Sequence, residues 1–330
     1  MNFSPCKKSS PLPQKLIIDA DPGLSDAFAV LVALVDPSVD VIGMTATAGS
    51  VSGPQACRNL QFLLEMVDPL KHPRIGHSEL PTLLNPVEES GYITRHSLYG
   101  PSGLGDVEAE APDLHNRKES AKLMAELVRQ HPHEVNVLCL GPLTNLAAAC
   151  DLDAELPELI QSVVCLGGAD LGTGDITAAA EFNIWADPEA AADVFALNTQ
   201  AILVPLNISS KPVLTFEDVD ALVDLIAATL NEEPLSKMLQ FSLLSNRQHL
   251  AFEGIALHAV AALAVATKAE RFSVQPVKAD IETSGQLTRG MTVIDRRRIA
   301  DCQTNIDLVT SIDELGVVDY FSRGLRRAAK

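Results

Sequence analysis

Short apolar runs alternate with helical stretches along most of this chain, and that alternation constrains its fold more than any other feature. The pattern predicts strands at 15–19, 39–47, 135–140, 162–166 and 201–206, and helices at 25–35, 52–67, 143–150 and 188–196. Because strands joined by helices usually pair in parallel, the sequence predicts an α/β fold. We expect a mainly parallel β-sheet with helices on both faces, and ligands at the carboxyl ends of its strands.

The last third of the chain has a more mixed pattern. It predicts helices over most of 215–268, short strands at 272–282, 291–295 and 304–309, and a last helix near 311–327. No internal repeat, low-complexity tract or linker separates this part from the rest. We therefore predict a loose polar tail at 1–14 and a single domain over 15–330.

The charge of the chain limits its partners. Its 330 residues include 25 basic and 43 acidic ones, which gives a net charge of −18. Affinity for nucleic acids depends mainly on Lys and Arg residues that neutralise phosphates. We therefore expect no nucleic-acid partner, whereas a small-molecule ligand remains open because one local pocket can carry any charge.

Cysteine usage and the lack of long apolar segments predict a cytoplasmic protein. The six cysteines form no CxxC pair and no regular spacing, which is typical of a reducing compartment. Lys7 and Lys8 are followed by serines and prolines where a signal peptide needs an apolar core. The longest apolar run, 27–35, is far shorter than the ~20 residues that a membrane span needs, so we expect no membrane contact.

An acidic cluster follows the first predicted strand. Asp19 and Asp21 lie two residues apart at the strand end, so we expect their side chains to point to the same side, and Asp26 falls in the first turn of the next helix. Like charges at one strand end repel unless a cation lies between them, and a hard divalent ion such as Ca²⁺ or Mg²⁺ prefers carboxylate oxygens. A second interpretation remains open, in which Ser25 and Asp26 only cap the helix and complement its dipole.

The pattern Asp-x-Asp-Pro-Gly-x-x-Asp at 19–26 resembles the N-terminal signature of the inosine–uridine-preferring nucleoside hydrolase family. Further motifs similar to those of the family follow in its order at 47–49, 100–105, 141–145, 167–169, 174–177, 180–184, 187–191, 258 and 292–295. The resemblance spans roughly residues 15–320, and it identifies the chain as a divergent member. It implies the family's sheet with a Rossmann-like core.

The resemblance also implies a reaction, the hydrolysis of the N-glycosidic bond of a ribonucleoside. Such bonds break through an oxocarbenium-like ribose while a positioned water arrives. A Ca²⁺ ion would hold the ribose diol and the water, and a carboxylate would take the proton of the water. Carried over by position, Asp21 would be the general base and a metal ligand, Asp26 a second ligand, and the carbonyl of Leu140 a third.

Residues later in the chain would bind the substrate in this comparison. Glu181 and Asn183 would hold ribose hydroxyls, and Asp175 stands where the family usually has Asn. His258 is a candidate for protonating the leaving base. The residues alone leave other interpretations open, since Glu181 and Asn183 fit an exposed loop around Phe182, and a histidine at the start of an apolar helix is often a packing residue.

Besides Asp175, the chain departs from the family pattern at four further positions. Ser25 replaces a second consecutive Asp that contacts the ribose, Ser50 replaces an Asn, and Tyr99 replaces a His. Ala259 replaces an Asp that is a metal ligand in the family. Because calcium affinity depends on the number of charged ligands, we expect a weakened or empty calcium site.

These features lead to one main hypothesis and two alternatives. The main hypothesis is a hydrolase of ribonucleosides or related N-ribosides, active in purine or pyrimidine nucleoside metabolism through metal-assisted attack of water. The alternatives are a catalytically impaired ribose- or nucleoside-binding protein and a hydrolase of a different glycosidic substrate. The resemblance further implies a homodimer or homotetramer, and it leaves the base preference open.

Overall fold

A ten-stranded sheet forms the centre of the molecule. The computed structural model describes residues 12–78, 95–109, 118–170, 173–197, 199, 201–227, 229–297 and 303–330, without the side chains of residues 95 and 96. The strands are β1 Gln14–Ala20, β2 Val39–Ala46, β3 Arg74–His77, β4 Lys118–Glu119, β5 Val135–Cys139, β6 Ser162–Leu166, β7 Ala201–Val204, β8 Val213–Leu214, β9 Ile255–Ala256, β10 Phe272–Ile281, β11 Thr292–Asp295 and β12 Ile306–Ile312. Strands β8 and β9 form a separate antiparallel pair.

The helices connect these strands and cover the sheet. They are α1 Leu24–Val35, α2 Gly53–Val67, α3 Arg95–Tyr99, α4 Ser120–Gln130, α5 Thr144–Leu152, α6 Leu156–Leu159, α7 Phe182–Ala186, α8 Pro188–Phe195, α9 Leu206–Ser209, α10 Phe216–Ile226, α11 Glu232–Ser245, α12 His258–Thr267 and α13 Glu314–Ala328. A short π-helix, Asn246–Leu250, extends α11. The predicted α/β fold, with a mainly parallel sheet between helices, is therefore confirmed.

The order of the strands creates a crevice beside β1. The order is β11-β10-β12-β7-β6-β5-β1-β2-β3-β4, and neighbouring strands are parallel from β12 to β4. Strands β1, β2, β3 and β4 follow one another toward one edge of the sheet, and strands β5, β6 and β7 follow one another toward the other edge. The loops that follow β1 and β5 therefore diverge, and ligands usually bind at such a switch point.

Two strongly apolar helices fill the core on one face. Nearly every residue of α1 is buried, and α12 has nine buried residues in its ten. Helices that are apolar all round lie inside a protein, which explains why neither shows a clear polar stripe. Phe28 of α1 meets Phe321 of α13 edge to face, with ring centres 5.4 Å apart. This packing fixes the amino ends of α1 and α12 beside the crevice.

Two predicted boundaries need correction, and the last strands differ in direction from the rest of the sheet. Residues 1–11 of the predicted tail lie outside the described residues, and β1 already begins at Gln14. The last helix begins at Glu314, not near 311, because β12 continues to Ile312 and the side chain of Asp313 caps the helix through the N–H of Gly316. Strands β10 and β11 are antiparallel to their neighbours.

The described helices are each too short or too polar to cross a membrane.

Candidate active site

A cavity of about 230 Å³ opens at the carboxyl ends of the central strands. All nine residues that the sequence predicted for the site line it: Asp21, Ser25, Asp26, Ser50, Leu140, Asp175, Glu181, Asn183 and His258. They come from the ends of β1, β2, β5 and β6 and from the starts of α1, α7 and α12. The sheet brings these ends together because β1, β2, β5 and β6 are parallel and finish at the same edge.

Asp21 lies at the centre of this group and is 2% exposed. Its Oδ2 accepts a hydrogen bond from the backbone N–H of Ser50. A Cβ on either Gly49 or Gly141 would collide with the carboxylate, so the loops after β2 and β5 enclose it with bare backbone. Close packing and the Ser50 N–H therefore hold the carboxylate in one position.

Asp19 lies apart from the cavity although it belongs to the same acidic motif. It is fully buried, and its Oδ1 accepts hydrogen bonds from Oγ1 of Thr45 (2.5 Å) and from Nδ2 of Asn145 (2.8 Å). Burial raises the pKa of Asp19 to about 7, and the two hydrogen bonds oppose that rise. Asp19 thus ties β1 to β2 and α5, and it does not join the carboxylates that face the cavity.

Ser25 has a different partner from the one that helix capping would give it. The N-cap of α1 is Gly23, which makes no side-chain capping bond. Oγ of Ser25 instead accepts a hydrogen bond from the N–H of Ala259, 3.2 Å away in the first turn of α12. The interpretation of Ser25 as a cap of its own helix is therefore wrong, since its hydroxyl serves a neighbouring helix. Asp26 lies in the first turn of α1 and is buried.

Glu181 is a buried N-cap of α7. Its carboxylate accepts hydrogen bonds from the N–H groups of Gly168 (2.8 Å), Asn183 (3.0 Å) and Ile184 (3.3 Å). Burial, followed by the charge of nearby Asp175, raises the pKa of Glu181 to about 8, although the three N–H groups lower it. The interpretation of Glu181 and Asn183 as exposed loop residues is therefore wrong.

Asn183 joins the ends of two strands. Its Nδ2 donates to the carbonyl of Leu140 (2.6 Å) and to the carbonyl of Leu166 (3.0 Å). These bonds use both protons of the amide, so Oδ1 is the atom that can accept from a ligand. Asp175 lies close by, and its Oδ1 accepts from the N–H of Phe182 (2.9 Å).

His258 begins α12 and is half-buried at the cavity wall. Its Nδ1 lies 3.0 Å from Oγ of Ser209. The ring is therefore not merely packed among apolar side chains, because one nitrogen has a polar partner and the residue lines the cavity.

The model of one protein family matches residues 16–319, and its description is inosine-uridine preferring nucleoside hydrolase. The chain belongs to this family. Its similarity to the pyrimidine-specific ribonucleoside hydrolase RihA of Shigella boydii is 30% identity over 314 residues, covering 94% of this chain and 98% of that protein. A probable uridine nucleosidase 2 of Arabidopsis thaliana is 34% identical over 282 residues, or 85% of each chain. Nucleoside hydrolases are N-glycosyl hydrolases, so the family is one of enzymes.

Solved structures of nucleoside hydrolases share the fold along nearly the whole chain. A purine-preferring ribonucleoside hydrolase from Gardnerella vaginalis superposes with a TM-score of 0.85 at 25% identity, covering 96% of this chain and 99% of that one. A plant nucleoside hydrolase gives a TM-score of 0.79 at 26% identity, covering 95% and 99%. These relatives differ in the bases that their names state, so the family alone does not give a base preference.

The resemblance implies a calcium ion held by Asp21, Asp26, the carbonyl of Leu140 and, in the family, an Asp at the position of Ala259. Asp21 and Asp26 supply carboxylates and Leu140 a carbonyl, but position 259 is a fully buried alanine with no ligand atom in its side chain. In the described part of the chain, no group of three His, Cys, Asp or Glu side chains is arranged to hold a metal ion. Calcium takes about six to eight oxygen ligands, and its affinity rises with the charge that they carry.

The sequence did not single out Ser209, which also lines the cavity. Its short helix, α9, directly follows β7, so the rule that ligands bind at strand ends could have found it. Tyr99, a departure from the family pattern, lines the cavity as well. Its ring packs over Gly23, where a Cβ would lie 3.0 Å from Cδ2, and so forms part of the wall above the start of α1.

Proposed function

We propose that this nucleoside hydrolase cleaves the N-glycosidic bond of a ribonucleoside or a related N-riboside. The observation that carries the proposal is the buried carboxylate of Asp21, held by the Ser50 N–H at the switch point of the sheet with His258 in the same cavity. A carboxylate that is fixed in a cavity can take a proton from water as the water attacks.

The cavity offers hydrogen-bonding atoms for a ribose. Oδ1 of Asn183 can accept from a hydroxyl, and Asp175, Ser25 and Ser50 add polar atoms to the same wall. Each hydroxyl held in this way orients C1′ toward Asp21 and displaces loosely held water. Because Ser25 and Ser50 are hydroxyls, they make weaker hydrogen bonds to a ribose than a carboxylate would.

The reaction needs two proton movements. The oxygen of water forms a bond to C1′ and gives its proton to Asp21, while the C1′–N bond breaks and its electron pair stays on the base. We propose that His258 supplies the proton that the departing base then takes up. The products are ribose and the free base, and exchange with solvent restores both side chains.

Calcium binding is weak in this proposal. The support is the donor set, since only two carboxylates and one backbone carbonyl of the predicted ligands face the cavity, and the carbonyl of Leu140 already accepts from Asn183. The steps above therefore use the chain's own residues alone.

The deciding experiment measures hydrolysis of a panel of purine and pyrimidine ribosides, with calcium and with a chelator. The proposal expects turnover of at least one riboside by the unaltered protein and none by D21N. A folded protein that releases no base from any member of the panel would contradict it. The panel also assigns the base preference.

A second candidate function is binding of ribose or a nucleoside without turnover. The contact between Ser25 and Ala259 favours it, because a neutral hydrogen bond there takes the place of two acidic positions of the family. Calorimetric titration with ribose and with non-hydrolysed ribosides separates the two functions. Binding with no product over long incubation supports the binder, whereas product formation that requires Asp21 supports the enzyme.

A cytoplasmic location and a homodimer or homotetramer remain predictions. The support for the location is cysteine usage, since the cysteines of the described residues, Cys57, Cys139, Cys150 and Cys165, are buried and form no disulfide. The support for the assembly is the family resemblance alone, and light scattering of the purified protein measures it.

A further inference from the structure

Ser209 occupies a place in the cavity that the proposed reaction does not yet use. It is the last residue of α9, directly after β7, and only 1% of its surface is exposed. Its Oγ lies 3.0 Å from Nδ1 of His258 and 3.4 Å from the carbonyl of Leu206. A buried hydroxyl thus connects the histidine ring to the backbone of a different element.

The proton count of these two contacts favours one direction for each bond. A serine hydroxyl carries one proton and can accept through its lone pairs. Both contacts are hydrogen bonds at the same time only if the hydroxyl donates to the carbonyl of Leu206 and accepts from Nδ1–H of His258. In that arrangement Nδ1 carries a proton, and Nε2 is the ring nitrogen that exchanges a proton with a cavity ligand.

The elements that carry the two residues are themselves anchored. The N–H of Leu206 donates to the carbonyl of Gly168 (2.8 Å), which ties α9 to the end of β6. The N–H of Ala259, next to the histidine, donates to Ser25 of α1. The ring of His258 is thus held from two sides, since its backbone is fixed to α1 and its Nδ1 is fixed to α9.

We propose that Ser209 is a positioning residue for His258. By holding Nδ1–H, it fixes the tautomer and the rotation of the ring, so that Nε2 faces the leaving base. The inference rests on the proposed hydrolase function. In that step the proton on Nε2 of the imidazolium passes to the base as the C1′–N electron pair arrives there, while Nδ1 keeps its own proton.

The first test observes the ring directly and needs no turnover. Nuclear magnetic resonance of ¹⁵N-histidine-labelled protein, with H258Q to assign the signal, distinguishes the two tautomers. The unaltered protein and S209T should hold the proton on Nδ1, because threonine retains the hydroxyl. S209A should shift the ring toward the other tautomer or a mixture. An unchanged His258 signal in S209A would overturn the proposal.

The second test uses leaving groups that differ in their need for a proton. For a ribonucleoside, S209A should lower kcat by roughly 10-fold to 100-fold with little change in KM, because a misoriented acid affects the bond-breaking step. For para-nitrophenyl riboside, whose phenolate leaves unaided, the same variant should remain within about 3-fold of the unaltered protein. S209T should restore most of the loss.

S210A is the matched control, since it removes a hydroxyl from the next residue along the chain. It should leave both the tautomer and the ratio of the two substrates unchanged. Equal losses on both substrates in S209A would show a merely structural role and contradict the proposal. If the unaltered protein cleaves no riboside, the proposed function fails, and the tautomer measurement still decides whether Ser209 positions the ring.

Discussion

The backbone N–H of Ala259 donates a hydrogen bond to Oγ of Ser25 across 3.2 Å. These are two of the positions at which the chain departs from the acidic pattern of its family, and they lie in contact although 234 residues separate them. Two carboxylates at these places would repel each other without a cation. A hydroxyl and an alanine carry no charge, so here the amino ends of α1 and α12 meet through a neutral hydrogen bond.

This contact leads to a prediction about calcium. Restoring an acidic ligand with A259D should create a calcium-dependent rise in Tm of a few degrees, because an ion that binds only the folded state stabilises it. The unaltered protein should show a much smaller rise. Thermal unfolding with millimolar calcium and with a chelator measures both.

A259N is the control for this substitution, since it has nearly the same size and no charge. It should respond to calcium as the unaltered protein does. A calcium-dependent rise in the unaltered protein as large as that in A259D would show that the site is complete without an acid at position 259.

Asp21 should be essential for turnover and dispensable for folding. D21N keeps an oxygen that can accept from the N–H of Ser50 but cannot take a proton from water, so kcat should fall by about 10²-fold to 10⁴-fold. D40N is a matched control, because Asp40 lies near the amino end of β2, away from the cavity. Steady-state kinetics and Tm are the measurements, and a D21N enzyme with near-normal kcat would exclude Asp21 as the general base.

The glycine beside Asp21 provides a steric test of the same site. The Cβ of G141A would meet the carboxylate of Asp21 and lie 2.8 Å from Cγ2 of Thr47, so the carboxylate must move. A displacement of this kind should lower kcat by roughly 10-fold to 100-fold.

The control for this variant is G316A, in which the new Cβ would also approach a carboxylate, that of Glu270, on a different part of the molecule. It should cost some stability and leave kcat unchanged. Full activity in G141A would mean that the position of the Asp21 carboxylate does not limit the reaction.

Because of Glu181, the free energy of unfolding should fall as the pH rises. The pKa of Glu181 is about 8 in the folded chain against 4.5 for an ordinary glutamate, so between these values the folded protein holds a proton that the unfolded chain has lost. The free energy of unfolding should then fall by up to about 1.4 kcal/mol per pH unit through this window. The contribution of Glu181 to the free energy of unfolding is complete below pH 4.5 and lost above pH 8.

Urea unfolding at several pH values within that window measures the slope. E181Q should reduce it, because the amide does not titrate, and the slope that remains below pH 7 belongs to Asp19, whose pKa is also raised. E189Q should keep the slope. Glu189 of α8 is paired with Arg289, and the pKa of Glu189 is lowered instead of raised. A slope in E181Q equal to that of the unaltered protein would assign the pH dependence to other groups.

Much of the fold could be predicted because its signals are local. The apolar runs at β1, β5 and β6 and the helices between the strands follow from residue type and spacing alone. The antiparallel pairing of β10 with β12 could not be predicted, since a short strand pattern is the same in either direction. The sequence pattern predicts the start of α13 too early. Strand β12 is followed directly by the capping residue Asp313, so no loop residues separate the strand from the helix in the sequence.

The sequence by itself determined the family, the mainly parallel sheet and nine of the residues that line the cavity, because motifs and the ends of strands are visible in the order of the residues. Tertiary structure alone decided what each polar atom contacts. It turned Asp19 toward Thr45 and Asn145 while Asp21 faced the cavity, and it brought Ser209 to His258. The physical reason is that a hydrogen bond depends on distances of about 3 Å between elements far apart in the chain, and only the packing of those elements sets such distances.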